Sequence, residues 1–199
     1  MGSGSDGNCV VIEDMMFDIG LPYKKIKDYL YDIKYIFITH RHTDHVNRAT
    51  VKRILKDFPR IKIIGNYDVS DLIKLDYPVG DETVLGFKDR NIRAFKCIHD
   101  VPCSGYVVEI KGIAFIYATD TYSLENAPRI KYDYFFIESN HDEKKIELAR
   151  NQAYKKYGYN VYKGAKRHLS TQKSQLFYFL GRRNKDSEWI ELHKSRRFY

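Results

Sequence analysis

The sequence is poor in cysteine and contains no long apolar run, and each absence excludes a class of protein. Three cysteines occur among 199 residues, Cys9, Cys97 and Cys103, so there is no paired disulfide framework of the kind found in small secreted proteins. No apolar run approaches the roughly 18 residues that a membrane span requires, and no basic segment followed by an apolar stretch opens the chain. We therefore expect reduced thiols, no signal peptide, no membrane partner and a cytoplasmic location.

Size and composition indicate one globular domain. The chain is 43% hydrophobic and 30% charged, which is ordinary for a globular protein. A length of 199 residues is sufficient for one well-buried core and short for two. We therefore predict a single domain over residues 1–199.

Positive charge is concentrated in the C-terminal part of the chain. Residues 144–199 contain 15 Lys or Arg and four Asp or Glu, a net charge of +11, whereas the whole chain carries +8. Between Tyr154 and Tyr162 aromatic residues alternate with lysines, a pattern in which bases stack on rings and lysines meet phosphates. Both features favour nucleic acid or a nucleotide as partner, although a solvated basic surface with helix-packing tyrosines gives the same pattern.

Alternating and periodic apolar residues predict an α/β protein. Lys111-Gly112 is expected to close a hairpin between two of the strands. Strands are predicted at 9–13, 15–18, 34–38, 61–64, 83–85, 92–98, 105–110, 113–117, 134–137 and 189–192. Helices are predicted at 22–33, 49–58, 70–75, 142–157 and 171–180.

Five ionisable side chains lie at or just beyond the ends of predicted strands. They are His40, His99, Asp120, Glu138 and His193. Strand ends are where loops gather and where a rigid scaffold holds functional side chains. Taken singly, each later residue also fits an ordinary loop or surface position, but the shared position favours a common site.

The segment Thr39-His40-Arg41-His42-Thr43-Asp44-His45 is the strongest signal for metal binding. In an extended loop His40 and His42 project to the same side, because extended residues alternate faces. Asp44 adds an oxygen and His45 a third nitrogen, and imidazole is a common ligand of zinc and other first-row metals. Four ligands within six residues exceed what one ion with an open position requires, so the segment predicts two ions.

This arrangement resembles the metallo-β-lactamase superfamily over nearly the whole chain and in motif order. Asp18 matches the early buried aspartate of the family, and the 40–45 segment matches its signature. His99, Asp120 and His193 match the later single ligands. The resemblance implies an α/β fold of the αββα sandwich type, with two mixed sheets flanked by helices, and a cofactor of two divalent ions, zinc or manganese.

Within the superfamily, the sequence is similar to the phosphodiesterase branch that contains tRNase Z and the WalJ nucleases. The segments that resemble the WalJ group are 2–9, 17–20, 138–142 and 168–170, and residues 192–198 resemble the end of tRNase Z. Two features depart from the branch. Arg167 stands where the branch tends to have glycine, and the chain begins at the Gly-Ser loop without the short strand that usually precedes it.

The resemblance implies two ions that share one bridging ligand, Asp120. The ligands of the first ion are His40, His42 and His99, and those of the second are Asp44, His45 and His193. Whether His168 or His193 closes the second site is open at this point. We favour His193, because it follows an apolar strand and precedes a matching Ser-Arg-Arg sequence.

The resemblance also implies the residues that act beside the ions. His168 would be a catalytic proton donor with Glu138 as its partner, and Asp44 is placed among the catalytic residues as well as the ligands. Asp18 would orient a ligand histidine from behind. The residues expected to bind substrate are His141, Ser195 and Arg197.

The leading functional hypothesis is a nuclease that hydrolyses phosphodiester bonds in nucleic acid. The alternative is a phosphodiesterase that degrades cyclic nucleotides, since phage anti-Pycsar proteins share this sub-branch and are similarly compact. For either function the expected location is the cytoplasm of a bacterial or phage-infected host cell, and the branch suggests a homodimer. Precursor-tRNA cleavage is less favoured, because only 20 residues separate His99 from Asp120 and leave no room for a long substrate-gripping arm.

Two further functions remain as alternatives from other classes. A thioester or lactam hydrolase would have the same fold, but the Asp44-His45 pair and the segments around Glu138 and His168 argue against it. A metal-binding module without turnover is disfavoured because all seven ligand positions are present.

Overall fold

The computed structural model describes residues 2–4, 7–150 and 160–199. Internal packing divides the chain into two compact units. The N-terminal unit comprises residues 1–81 with 101–104, and the C-terminal unit comprises residues 82–100 with 105–199. The single domain over residues 1–199 stays a prediction.

The N-terminal unit is built on a five-stranded sheet in the order β1-β2-β3-β4-β5. Its strands are β1 (Val10–Ile12), β2 (Met15–Phe17), β3 (Tyr35–Ile38), β4 (Lys62–Asn66) and β5 (Tyr77–Val79). The first two form an antiparallel hairpin, and the pairs from β2 to β5 are parallel. The hairpin turns at Glu13, whose φ of 54° lies in the left-handed region. The sheet is therefore mixed.

Three short helices belong to this unit. They are α1 (Tyr23–Ile26), which continues into a 3-10 turn at Lys27–Tyr29, α2 (Arg48–Asp57) and α3 (Tyr67–Ser70). Asn47 caps α2 by accepting a hydrogen bond from the Thr50 amide at 3.1 Å, which satisfies one of the amides left unpaired at a helix start. Val51 and Ile54 of α2 are buried in the core of the unit, and burying a side chain of this size stabilises a fold by about 1.5–3 kcal/mol.

The C-terminal unit is built on a six-stranded sheet in the order β11-β10-β9-β8-β7-β6. Its strands are β6 (Val84–Gly86), β7 (Arg90–Cys97), β8 (Cys103–Ile110), β9 (Ile113–Ala118), β10 (Tyr134–Glu138) and β11 (Glu188–Leu192). The strands β9, β10 and β11 are parallel, and β8 pairs with β9 antiparallel. Lys111 and Gly112, with φ of 51° and 81°, close that hairpin as predicted.

The helices described in this unit are α4 (Glu143–Ala149), α5 (Val161–Ala165) and α6 (Thr171–Gly181). Each is capped by a polar side chain that accepts an amide hydrogen bond, Asp142, Asn160 and Ser170 respectively. Together the two mixed sheets and their helices confirm the predicted α/β class. Among the residues that the structure describes, no helix is long and apolar enough to cross a bilayer.

The structure corrects two of the predicted elements and describes only part of a third. The helix expected at 70–75 lies at Tyr67–Ser70 instead, where Asn66 caps it by accepting a hydrogen bond from the Val69 amide at 3.0 Å. The helix expected at 22–33 is α-helical only as far as Ile26. Of the helix expected at 142–157, residues 151–157 lie outside the described residues, as does most of the aromatic and lysine pattern between Tyr154 and Tyr162.

Two elements have no counterpart among the predictions. The strand β5 contains Pro78 and the helix α5 contains Gly164, and both residue types weaken the patterns by which such elements are recognised. The three cysteines are buried, and none of them is in a disulfide bond.

Candidate metal centre

The loop after β3 gathers the three histidines of the 40–45 segment. His40 and His45 are fully buried and His42 is half-buried. Nε2 of His40 lies 3.1 Å from Nδ1 of His42, and the ring centroids of His40 and His45 are 4.0 Å apart. Two imidazole nitrogens at 3.1 Å are spaced as two ligands of one ion, so this pair fits a metal such as zinc.

Asp18 lies behind these histidines and is fully buried. Its Oδ2 accepts a hydrogen bond from Nδ1 of His45 at 2.8 Å, and its Oδ1 accepts one from the Thr39 amide at 2.8 Å. A carboxylate on one imidazole nitrogen leaves the other nitrogen as the ligand atom. The contact is the one that the predicted role of Asp18 requires.

The N-terminal loop packs directly against the histidine loop. Asn8 donates from its backbone amide to the Asp44 carbonyl at 2.7 Å, and its Nδ2 lies 3.2 Å from Asp44 Oδ2 and 2.7 Å from His45 Nε2. A Cβ on Gly20 would lie 1.7 Å from the Asp44 carbonyl oxygen, so only glycine permits this approach. Asn8 has no predicted role, and the only signal for it in the sequence is its place in a segment that resembles the WalJ group.

In the C-terminal unit three predicted site residues follow parallel strands at the same edge of the sheet. Asp120 comes two residues after β9, Glu138 ends β10, and His193 follows β11. Nδ1 of His193 lies 2.8 Å from Asp120 Oδ1 and 3.1 Å from Glu138 Oε1. The register of β9, β10 and β11 therefore brings these three side chains together.

His168 joins this group from the turn before α6. Its Nδ1 lies 2.7 Å from Glu138 Oε1 and 3.3 Å from Asp120 Oδ1. The second oxygen of Glu138 accepts hydrogen bonds from the amides of Thr121 at 2.9 Å and Leu169 at 3.2 Å. Asp120, Glu138, His168 and His193 thus each offer a ligand atom within 4.8 Å of the others, a donor set that fits a divalent ion.

The charges within this group perturb one another. Burial alone raises the pKa of the Glu138 carboxyl, but the charge and hydrogen bond of His168, with the hydrogen bond of His193, outweigh burial and lower the pKa. Burial lowers the pKa of His168, whereas Glu138 raises it more, so the net shift of that pKa is upward. Burial also lowers the pKa of His193, but its hydrogen bonds to the carboxylates of Asp120 and Glu138, with the charges of both, outweigh burial and raise that pKa well above its ordinary value.

His99 follows β7 and is linked to the loop that carries His168. Its Nε2 lies 3.1 Å from Asp100 Oδ1, while Asp100 Oδ2 accepts a hydrogen bond from Arg167 at 3.3 Å. The ring centroids of His99 and His168 are 6.2 Å apart. Asp100 therefore ties Arg167, the residue that departs from the branch, to the neighbourhood of a predicted ligand.

The residues predicted to bind substrate have different surroundings. His141 is buried, and burial lowers its pKa. Ser195 Oγ accepts hydrogen bonds from the amides of Arg197 and Phe198 at 3.4 and 3.3 Å, and Arg197 is exposed. Asn140, which sequence analysis did not single out, donates from Nδ2 to the His193 carbonyl at 2.9 Å. Substrate binding by His141, Ser195 and Arg197 stays a prediction.

Three of the predicted site residues have a strained backbone. Among the described residues, Asp18, Asp120 and His193 have φ of 61°, 52° and 51°, values that non-glycine residues rarely adopt. Such conformations persist where the surrounding structure holds them, and they cluster at functional sites. No pattern in the sequence predicts this backbone strain.

The chain is similar in sequence to a bacterial nuclease. No protein-family model matches the chain. The exodeoxyribonuclease WalJ of Streptococcus pneumoniae is 28% identical over 181 residues, which cover 77% of this chain and 65% of that protein. The chain therefore spans just under two thirds of the length of the curated relatives it matches.

Solved structures share the fold over almost the whole chain. The short form of human tRNase Z is 18% identical, with a TM-score of 0.68 over 98% of this chain and 91% of that one. The metallo-β-lactamase fold protein YhfI from Bacillus subtilis is 15% identical, with a TM-score of 0.69 over 98% and 84% of the two chains. These likenesses confirm the fold that the sequence predicted.

Proposed function

We propose that this chain is a metal-dependent phosphodiesterase of the metallo-β-lactamase superfamily and that it cleaves nucleic acid. The observation that carries the proposal is the pair of Glu138 and His168, 2.7 Å apart, beside Asp120 and His193. An imidazole held by a buried carboxylate is suited to give a proton to an alkoxide leaving group. The relative named as an exodeoxyribonuclease supports nucleic acid as the substrate.

The proposed cofactor is a pair of divalent ions, zinc or manganese. When bound, the ions supply a hydroxide nucleophile near neutral pH and neutralise charge on the phosphoryl oxygens. Asp120 is proposed as the ligand shared by the two ions. The other proposed ligands are His40, His42 and His99 for one ion, and Asp44, His45 and His193 for the other.

The chain's own residues then perform three tasks. Asp18 orients His45 through its Nδ1 proton, which leaves Nε2 to bind. Glu138 accepts a hydrogen bond from Nδ1 of His168 and raises the pKa of that imidazole, so that a proton is retained on Nε2. His168 gives that proton to the leaving oxygen as the phosphodiester bond breaks.

Positive charge supports a polyanionic substrate. The described part of the basic segment includes Arg167, Arg196 and Arg197, all exposed. Arg167 precedes His168 directly and is held by Asp100. A guanidinium beside His168 is suited to bind the phosphate group next to the one that is cleaved.

The test is a substrate panel with manganese- and zinc-loaded protein. It contains 5′-phosphorylated duplex DNA, single-stranded RNA, cyclic mononucleotides, cyclic dinucleotides and bis-p-nitrophenyl phosphate. We expect cleavage of the DNA and of the small diester. An Asp120→Ala variant purified in the same way controls for contaminating nucleases, because it is expected to be inactive.

Two results would contradict the proposal at different levels. Cleavage of cyclic mononucleotides without activity on polymers would show that the substrate is a cyclic nucleotide and not nucleic acid. No cleavage of any phosphodiester would reject phosphodiesterase chemistry altogether. Light scattering of the same preparation tests the homodimer that the resemblance suggests.

A further inference from the structure

Thr39 lies between the buried carboxylate and the ligand histidines. The residue is fully buried, and its hydroxyl Oγ1 lies 3.0 and 3.1 Å from the two carboxylate oxygens of Asp18. The same hydroxyl lies 3.0 Å from Nδ1 of His40 and 3.2 Å from Nδ1 of His45. One oxygen therefore contacts three residues of the candidate metal centre.

The Thr39 backbone is fixed as firmly as its side chain. Its amide donates to Asp18 Oδ1 at 2.8 Å. Its carbonyl accepts hydrogen bonds from Asn66 Nδ2 at 3.1 Å and from the Ser104 amide at 2.9 Å. The hydroxyl is consequently held in one position relative to both imidazoles.

The chemistry of the hydroxyl and the carboxylate favours one assignment of hydrogens in this cluster. A hydroxyl has one proton to donate and two lone pairs, whereas a carboxylate only accepts. His45 donates from Nδ1 to Asp18 Oδ2 over its shorter contact of 2.8 Å. Because Thr39 donates its only hydroxyl proton to Asp18, its oxygen has lone pairs left to accept a proton from Nδ1 of His40.

We infer that Thr39 is a positioning residue that extends the hold of Asp18 to a second ligand, His40. The chain of hydrogen bonds from His40 through Thr39 to Asp18 leaves the lone pair on Nε2 of His40. That atom lies 3.1 Å from Nδ1 of His42, its proposed partner on the same ion. One buried carboxylate thus orients two ligand histidines, one directly and one through a hydroxyl.

The inference rests on the proposed function, in which His40 binds an ion, and two variants isolate the hydroxyl. Thr39→Val keeps the shape of the side chain and removes the hydroxyl. Thr39→Ser keeps the hydroxyl and removes a methyl group. If Thr39 acts only through packing, Thr39→Ser is the more damaging change. If Thr39 relays the hydrogen bond from His40 to Asp18, Thr39→Val is the more damaging change.

The first measurement is metal affinity by titration of zinc against a chromophoric chelator. Removing a group that orients a ligand weakens metal binding by about 10–100-fold, and we expect this for Thr39→Val at one of two ions. Thr39→Ser should bind both ions as wild type does, and the absorption spectrum of the cobalt-loaded protein should change only in the valine variant. Equal affinities and spectra for the two variants would overturn the inference.

The second measurement needs no ion. Nitrogen NMR of the imidazole rings in chelator-treated protein reports which ring nitrogen of His40 carries the proton. We expect Nδ1 in wild type and Thr39→Ser, and a shift of the proton towards Nε2 in Thr39→Val. An unchanged His40 signal in the valine variant would overturn the relay even if the protein is an active phosphodiesterase, whereas failure of the substrate panel alone would reject only the proposed function.

Discussion

Glu138 and His168 are 30 residues apart in the sequence, and Oε1 of the first lies 2.7 Å from Nδ1 of the second. The other oxygen of the carboxylate accepts a hydrogen bond from the Leu169 amide at 3.2 Å, so the backbone beside His168 is held as well. One nitrogen of the imidazole is thereby committed to a buried carboxylate. The other nitrogen, Nε2, is the one that the proposed proton transfer would use.

The first prediction concerns His168→Ala. If His168 is a proton donor and no ligand, kcat falls by about 10²–10⁴-fold while two ions remain bound. Turnover of bis-p-nitrophenyl phosphate and elemental analysis of the same sample measure both quantities, and Glu188→Ala, at an exposed position of β11, is the control. Loss of one ion from His168→Ala, with none lost from His193→Ala, would reverse the assignment of these two histidines.

The second prediction concerns Asp120→Ala. Asp120 Oδ1 lies 2.8 Å from His193 Nδ1, and the residue is proposed to bind both ions, so its loss should reduce metal content and abolish turnover together. Elemental analysis and the substrate panel check this result. Asp186→Ala changes an exposed aspartate of the same unit and should leave both unchanged. Full metal content in Asp120→Ala would contradict a bridging role.

The third prediction concerns the backbone contact between Gly20 and Asp44. A Cβ at position 20 would meet the Asp44 carbonyl oxygen at 1.7 Å, so Gly20→Ala forces the two loops apart. We expect a loss of about 3 kcal/mol or more in the free energy of unfolding, measured by urea denaturation, and weaker binding of metal.

Gly164→Ala is the matched control for that change. A Cβ at Gly164 has nothing within 4 Å, and alanine favours a helix over glycine by about 0.5–1 kcal/mol. This variant should therefore be as stable as wild type or slightly more so. Equal stability of Gly20→Ala and Gly164→Ala would show that the loops do not approach as described.

The fourth prediction concerns the reactivity of Cys9. Burial, reinforced by the charge of Asp18, raises the pKa of this thiol to about 12, so at pH 8 only about 1 in 10,000 molecules has a thiolate there. Iodoacetamide should leave Cys9 unmodified in folded protein and modify it in guanidinium, as read by peptide mass spectrometry. Rapid labelling of Cys9 in the folded protein would contradict its burial.

The fifth prediction concerns Arg167. If its guanidinium binds a phosphate next to the scissile one, Arg167→Ala raises KM for DNA and leaves kcat for bis-p-nitrophenyl phosphate unchanged. The slope of log K for DNA binding against log salt concentration should also fall in magnitude by about 1, as expected for the loss of one phosphate contact. Arg60→Ala, at an exposed position in the turn before β4, is the control. An equal change in both variants would indicate a general effect of charge.

The strand patterns in the sequence predicted part of the candidate site, because the sheet brings together residues that follow parallel strands. Asp120, Glu138 and His193 each follow an apolar strand, and β9, β10 and β11 are parallel, so their carboxyl ends lie at one edge. The 40–45 segment was similarly visible, because its ligands are local in sequence. Pairing of His168 with Glu138 followed only from the resemblance, since no periodic pattern joins them.

The residues that contact the proposed ligands, Thr39 and Asn140, could not be predicted from the sequence, for a physical reason. Thr39 contacts Asp18, which is 21 residues away, and Asn140 contacts the carbonyl of His193, which is 53 residues away. Neither residue type is unusual for a loop, and the roles arise only when the strands are assembled. Local patterns reveal ligands, whereas the groups that orient ligands depend on tertiary contacts.

The left-handed backbone at Asp18, Asp120 and His193 has a consequence for protein engineering. Each such conformation costs about 1–3 kcal/mol, whereas glycine adopts it without that cost. Glycine at position 18 would, however, remove the carboxylate that accepts hydrogen bonds from Thr39 and His45, so the lost contacts of the side chain oppose the gain in the backbone. A search for stabilising substitutions in this scaffold should therefore leave these three positions unchanged, because relief of backbone strain there removes a side chain of the proposed metal centre.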